Sequence, residues 1–392
     1  MLVQAIQTKY DIILTGAGLA GLSLAYRALR AGIWADQRIL VIDEKPKNEN
    51  DRTWSFWQSK AGYFDTIISK SWHKLSVFSN IGEEISLDTG DYLYHTIYSL
   101  DFYNSICSYL AKQGNVTFAF EKIHSVINGK ESCLVSTDAG NYTSKYVFNS
   151  IFQKPELKTG AQYFLQHFKG LKIKVPDHGM DIDKAYLMDF RTAQEAGTSF
   201  FYTLPLNKAE IFVEYTVFSK SLLDTDVYDN RLSEYMVDVL KISNFEILSE
   251  EFGVIPMTDH KFKRFDGNVI NIGTIGGDTR GATGYTFTNV QETVSKIIGE
   301  WKRSGTPLIR VEHIGRKQLM YDGTLLNVLN SGDYKGHQLF TDLFRYTRGS
   351  RVFRFLDADQ SLANDFMIIK SLKPWPFVKA ITGYLYRKIK YG

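Results

Sequence analysis

The chain has 392 residues, 44% of them hydrophobic, which is enough for two domains or one elaborated domain around a large core. Its 46 basic and 43 acidic residues leave a net charge of only +3, which argues against the strong overall field of a nucleic-acid binder. Two cysteines without motif spacing, Cys107 and Cys133, argue against a disulfide framework and fit a reducing cytoplasm, and eight scattered histidines predict no metal site.

Residues 1–10 are too polar for a secretory leader, and no apolar run approaches the roughly 20 residues of a spanning helix. Aromatic residues make up 14% of the chain, a richness that serves either a large apolar ligand or ordinary core filling. The organising stretch comes early, in Asp11-Ile-Ile-Leu-Thr-Gly16-Ala-Gly18-Leu19-Ala-Gly21. Residues 12–14 read as a buried strand and residues 22–29 as a helix, with three glycines between them. Gly16 permits the tight turn, Gly18 lets backbone approach a pyrophosphate, and Gly21 lets helix and strand pack closely. The helix N-terminus then offers unpaired N–H groups to phosphates. Residues 38–42 form the next strand, and Asp43 at its end is placed to accept an adenosine ribose hydroxyl.

A polar loop follows and runs into Arg52-Thr53-Trp54-Ser-Phe56-Trp57. These aromatics either lie along a bound cofactor, with Arg52 pairing a phosphate, or anchor the loop on the core. A helical stripe over residues 99–114 and strands at 116–120, 134–137 and 145–149 complete the first section. Short alternating runs at 162–168, 184–190, 199–204 and 209–218 then read as one half-covered sheet that floors a cavity. Two acids in that sheet stand out, Asp189 and Glu214. Glu214 interrupts an aromatic strand, so its carboxylate faces either solvent or a dry cavity, and in the second case it holds a proton at neutral pH.

A second glycine turn, with Gly273, Gly276, Gly277 and Gly284, follows the strand at 269–272 and precedes a helix carrying Val290, Val294, Ile297 and Ile298. Two strand, glycine loop and helix units in one chain suit a long cofactor such as FAD, where NAD needs only one. The last 90 residues read as helical, and beyond Asp365 every charged residue is basic, with Trp375, Phe377, Ile381, Tyr384, Leu385 and Ile389 at near-helical spacing. That segment is either a peripheral membrane contact or a docked terminal helix. The reading is an α/β protein: a two-dinucleotide-type FAD-binding Rossmann-like domain from 1–151 and 254–300, a mixed-sheet substrate domain at 152–253, and a helical C-terminal region at 301–392.

With these residues in view the chain resembles the FAD-dependent lycopene beta-cyclase family of bacteria. The markers are Gly16-Ala-Gly18-Leu19-Ala, Asp51-Arg52-Thr53-Trp54-Ser-Phe56, Leu187-Met-Asp189-Phe-Arg191, Phe201-Tyr-Thr-Leu-Pro205, Val213-Glu214-Tyr-Thr216 and Thr283-Gly284-Tyr285-Thr-Phe287. The resemblance implies redox-neutral closure of beta-ionone rings on linear carotenoids such as lycopene, with FAD in its reduced form and NADPH as reductant. It implies Glu214 as the essential acid–base residue with Asp189 as a second candidate, and Leu19, Thr53, Thr283 and Tyr285 beside the cofactor. It also implies a peripheral position on the inner face of the cell membrane. Asn149 stands where the family often has an acid, and Ala282 where it commonly has proline. The rival readings are a FAD-dependent reductase or monooxygenase acting on a large apolar isoprenoid, and a non-catalytic flavin-binding or carotenoid-carrying protein.

Overall fold

The computed structural model describes residues 7–358 and 362–391; residues 1–6 of the polar N-terminal segment lie outside the described residues. Short runs of β-branched and aliphatic residues build the first sheet. Ile12–Thr15 lies at its centre, with Ile39–Asp43 and then Val116–Phe120 on one side and Tyr146–Asn149 and then Val269–Asn271 on the other. These strands are all parallel, as continuous apolar runs buried on both faces require, and Phe265–Asp266 closes one edge antiparallel. One face packs on Leu19–Arg30, Ser99–Ala111 and Phe287–Ser304 through Ile12, Leu14, Ile39, Val41, Ile106 and Val294. The other face buries Ile13, Leu40, Ile42 and Val147 against Cys133 and Val135 of a small four-stranded sheet.

The glycine turn has the backbone its sequence requires. Gly16 has φ +102°, and a Cβ on Gly21 would collide with the Gly16 carbonyl oxygen, so the helix crosses the turn at a separation open only to glycine. Asn149 is a structural tie: its side chain donates to Asn271 Oδ1 at 2.9 Å and accepts from Thr15 Oγ1 at 2.9 Å, lacing three parallel strands together.

The second large sheet has seven strands in the order Glu246–Thr258, Tyr163–Lys174, Glu210–Ser219, Thr198–Pro205, Lys184–Asp189, Lys74–Phe78 and Glu84–Ser86. It differs from the sequence reading in extent. Two of its strands come from residues before the helix Ser99–Ala111, and the strand Glu246–Thr258 runs through residue 253. The segment read as a loop ending in aromatics is a strand, Thr53–Gln58, paired antiparallel with Leu93–Tyr98. Its period-two alternation sends Trp54 and Phe56 to one side and Thr53, Ser55 and Trp57 to the other. The side of the seven-stranded sheet that carries Phe201, Tyr215 and Val217 packs on Thr225–Glu234 and the following turn. The opposite side faces the C-terminal helices Arg316–Ser331, Gly336–Tyr346, Gly349–Leu356, Leu362–Lys370 and Pro374–Tyr391.

The candidate active site

A cavity of about 540 Å³ lies where the two sheets meet, a size suited to a small-molecule or cofactor site. Of the residues picked out in the sequence, Gly16, Gly18, Leu19, Asp43, Arg52, Thr53, Gly273, Thr283, Gly284, Tyr285 and Glu214 all line it. Folding therefore brings both glycine loops and the strand glutamate to one space. Gly21 sits outside it, holding the helix against the turn, and Gly276 and Gly277 also sit outside it. Gly276 is pressed on the Asn271 carbonyl, and Gly277, with φ +81°, closes the short turn Gly273–Gly276.

Several features of the wall match a dinucleotide. The helix Leu19–Arg30 starts at Gly18 without a side-chain cap, and a Cβ on Gly18 would meet no atom within 4 Å, so its first N–H groups open on the cavity. Asp43 Oδ2 accepts from the Ala17 N–H at 2.7 Å while Oδ1 faces Lys47 at 3.1 Å, which fixes the carboxylate at the turn. Among the described residues the Arg52 guanidinium bonds only to the carbonyl oxygens of Asp51 and Phe252, and it forms no direct ion pair with a carboxylate. Gln166 Oε1 and Thr283 Oγ1 are buried, line the cavity and have no hydrogen-bond partner. Orphaned buried polar atoms are costly, and a polar ring system with its own donors answers both.

The second glycine loop is held by buried charge. Asp278 accepts from the Gly273 N–H at 2.6 Å and from Thr293 Oγ1 at 2.6 Å, and pairs with Arg264 at 2.7 Å. Arg280 pairs with Asp322 through two bonds of 3.0 and 2.8 Å, and its backbone brackets the loop through Arg280 N–H to Tyr285 O and Gly284 N–H to Arg280 O.

Beyond the wall made by Tyr202, Thr283 and Tyr285 lies a second cavity of about 420 Å³. Its lining is almost wholly apolar, with Trp57, Leu187, Phe200, Phe218, Phe340 and Phe353 against the C-terminal helices. Trp57 stacks on Phe353 at 4.7 Å and meets Tyr285 edge-on at 4.2 Å.

Glu214 lines the first cavity, next to Tyr202 of this wall. It is 8% exposed, on the same face of the sheet as its partner Tyr202, and Oε1 accepts from Thr216 Oγ1 at 2.8 Å. Burial, reinforced by the charge of Glu251 and only partly offset by Thr216, pushes its carboxyl up to about 8. Burial likewise lifts the phenols of Tyr94 and Tyr202 well above their ordinary range and Tyr285 to about 12, so the wall around Glu214 stays uncharged.

Asp189 is placed apart. It is opposite Phe201, on the far face of the sheet, and lines neither cavity. Its oxygens are taken by Arg191 through bonds of 2.9, 3.1 and 2.6 Å and by the Tyr235 hydroxyl at 2.6 Å. A carboxylate so fully engaged is a structural anion. The sequence reading passed over Glu251, Gln166 and the tyrosine wall. Glu251 belongs to an acidic doublet, Glu250-Glu251, that reads as solvated until the sheet pairing is known.

The fold, a Rossmann-like parallel core joined to a second, mixed sheet, is one that solved proteins share. A geranylgeranyl bacteriochlorophyll reductase-like protein from Thermoplasma acidophilum superposes with a TM-score of 0.63 at 11% identity, covering 96% of this chain and 100% of that one. A flavoprotein/dehydrogenase from Cytophaga hutchinsonii gives the same score and identity over 97% of this chain and 100% of its own. The lycopene cyclase protein family matches residues 11–381, and the chain belongs to that family. Among its relatives, a chloroplastic neoxanthin synthase of Solanum tuberosum is 25% identical over 303 residues, and a lycopene beta-cyclase of Pantoea ananas is 24% identical over 262. The matches take in 71% and 64% of this chain but only 58% and 63% of those proteins, so the chain spans about three fifths of the length of the curated relatives it matches.

Proposed function

We propose that the protein is a FAD-dependent carotenoid cyclase, closing beta-ionone rings on a linear carotenoid such as lycopene by acid–base chemistry. One observation carries the reading: a buried carboxyl group with a strongly raised proton affinity lines the cavity of the two glycine loops, beside its register partner Tyr202, which also lines the separate apolar cavity. A reductase would also use such an acid, for the proton that accompanies its hydride, so the NADPH consumed per product is what separates the two readings.

The Gly18 turn and Arg52 would hold the pyrophosphate of the cofactor, Asp43 the ribose, and Thr283, Gly284 and Gln166 the ring system. When bound, reduced FAD, maintained by NADPH, would supply negative charge that offsets a carbocation. The terminal alkene enters past Tyr285 and takes the proton from Glu214, so that the O–H bond breaks, a C–H bond forms and a tertiary cation results. The neighbouring double bond attacks that cation and closes the ring. A ring C–H bond then releases its proton to the carboxylate, restoring Glu214 and leaving the new alkene. No electron is gained or lost. The faces of Tyr202, Tyr285 and Trp57 stabilise the cation, and the apolar lining excludes the water that would quench it. The test is anaerobic turnover with pre-reduced flavin: cyclised product forms over many turnovers with no stoichiometric NADPH consumption. Consumption of one NADPH per product would overturn the reading in favour of a reductase.

A substrate dissolved in a bilayer also calls for contact with the membrane. No helix among the described residues is long and apolar enough to cross one. The helix Pro374–Tyr391 is docked on one side, where Asn327 donates to the Ala380 carbonyl at 3.0 Å and Tyr384 packs on Gly323. Its other side exposes Trp375 at 74% and Ile389 at 86%, beside Lys373, Lys388 and Lys390 and near the Phe366, Phe377 and Val378 rim of the apolar cavity. We read this face as the membrane contact. Each large apolar side chain is worth about 1.5–3 kcal/mol when buried. The double substitution Trp375→Glu and Ile389→Glu is therefore expected to weaken sedimentation with phosphatidylserine vesicles by more than about tenfold while flavin content is unchanged. Equal loss of flavin and of vesicle binding would show that the face only supports the fold.

A further inference from the structure

The strand Tyr163–Lys174 lies between the strands that carry Glu214 and Glu251, and one residue, Gly170, is the register partner of both. Residues aligned across neighbouring strands point to the same face, so both carboxyls rise on the cavity side of the sheet with a glycine between them. The spacing matters because a side chain at 170 would fill the gap: a Cβ there would lie 2.6 Å from Phe212 Cζ and 3.1 Å from Glu251 Cγ. Glu251 is 9% exposed, although it belongs to a strand that is otherwise largely open over Glu246 to Glu250. Its Oε2 accepts from Thr53 Oγ1 at 2.6 Å, whereas Oε1 is buried with no partner. A buried carboxyl left half-satisfied is expensive, and nothing in the packing of the sheet requires one.

We propose that Glu251 is the positioning partner of Glu214: the two form one buried carboxyl unit across Gly170, in which Glu251 gives up its proton first and its charge then holds the remaining proton on Glu214. The proposal rests on the acid–base reading of Glu214 given above. It explains how a residue that must act as an acid stays protonated in an enzyme working near neutrality, which burial alone does only in part.

The surroundings of each group favour this division. Around Glu251 stand Thr53, which donates to it, the Arg52 guanidinium, which favours its charge, and Asp51, which opposes it; burial still lifts it to about 7. Tyr98, on the adjoining strand, stays neutral because burial and the charges of Glu210 and Glu251 keep its proton on. Apart from Glu251, the groups around Glu214 are Thr216 and the neutral phenols of Tyr94, Tyr202 and Tyr285, and no cation lowers the proton affinity of its carboxylate. The group beside an arginine ionises first, and the group among phenols keeps its proton.

The test is the pH profile of cyclisation by the flavin-loaded protein. Glu251→Gln removes the charge that holds the proton, so the alkaline limb is expected to move to lower pH by about one unit, the effect of a unit charge several ångströms away in a protein interior. Activity lost near neutrality returns as the pH is lowered, and Glu251→Asp, which keeps the charge, lies closer to the parent. Should Glu251→Gln fail to fold, Thr53→Val weakens the ionised form of Glu251 and moves the limb in the same direction. An alkaline limb that stays in place, or a loss by one constant factor at every pH, would overturn the proposal and leave Glu251 a structural residue. Failure of the underlying reading looks different: Glu214→Gln would then remain active whatever stands at 251.

Discussion

Replacement of Glu214 by Gln is expected to abolish ring closure while the protein keeps its flavin and becomes more stable above acidic pH. The amide has the size of the acid and can still accept from Thr216 Oγ1, so the 2.8 Å contact is retained and the cavity wall does not collapse. What disappears is the proton. General acid–base catalysis contributes roughly 10²- to 10⁴-fold, and protonation of an unactivated alkene has no evident substitute acid on this wall, where burial holds the nearby phenols far too weakly acidic. The stability effect follows by linkage. The folded carboxyl binds its proton more tightly than the ordinary value of 4.5, up to about 8, so folding takes up a proton between those pH values. The native state therefore loses stability as pH rises through that window and stays penalised above it. The Gln variant lacks this group, so its stability should fall less steeply there, by the share of Glu251 alone, and exceed that of the parent above the window by an amount on the order of a few kcal/mol. Urea unfolding on both sides of the window, together with carotenoid chromatography and the flavin spectrum, measures all three effects. Near-normal cyclisation with flavin bound would remove Glu214 from the chemistry.

Some of this site could be read directly from the chain because its causes are local. Gly16, Gly18 and Gly21 act through backbone conformation and close approach within a dozen residues, and Asp43 reaches the same turn from the end of the neighbouring strand. The amphipathic C-terminal helix was equally visible, although the choice of docked face needed the contact of Tyr384 on Gly323. Glu214 was different. Strand alternation allows two faces, and only the sheet order, with Tyr202 opposite and the apolar cavity beyond, settles which one it occupies. Asp189 shows the reverse case: it too is buried in a largely apolar strand, but its register places it opposite Phe201, on the face packed by Tyr235. Glu251 carried no local signal at all, since its position depends on two pairings of Gly170 with residues 44 and 81 positions further along the chain. Long-range register, which no short window contains, puts Glu214 and Glu251 on the cavity face and Asp189 on the other.

The same long-range logic makes Asp322 the residue whose loss should damage the fold most. Asp322→Asn is expected to destabilise the protein by about 3–5 kcal/mol, a large share of the 5–15 kcal/mol that holds a typical domain. Arg280 and Asp322 have side chains only 2% and 3% exposed, and Asp322 also accepts from the Gly281 N–H at 3.1 Å. Arg280 further donates to the Leu356 carbonyl at 2.6 Å, so this pair joins the second glycine loop to two C-terminal helices at once. Neutralising the acid leaves a guanidinium buried beside an apolar cavity, where burial already opposes its charge and Asp322 is the main compensation. Because the Arg280 backbone brackets Gly284 and Tyr285, loosening it should also lower flavin affinity, linking the two cavities through one ion pair. Asp266→Asn supplies the comparison: its partner Lys263 lies at 2.6 Å, as close as any buried pair, but the side chains are 60% and 71% exposed. Water already solvates both of those charges, so that change should cost less than about 1 kcal/mol. Thermal unfolding of the two variants, with flavin retention measured beside it, decides the matter. Equal and small shifts would mean that Arg280 finds another partner when Asp322 is neutral, and that the loop is held by its apolar contacts instead.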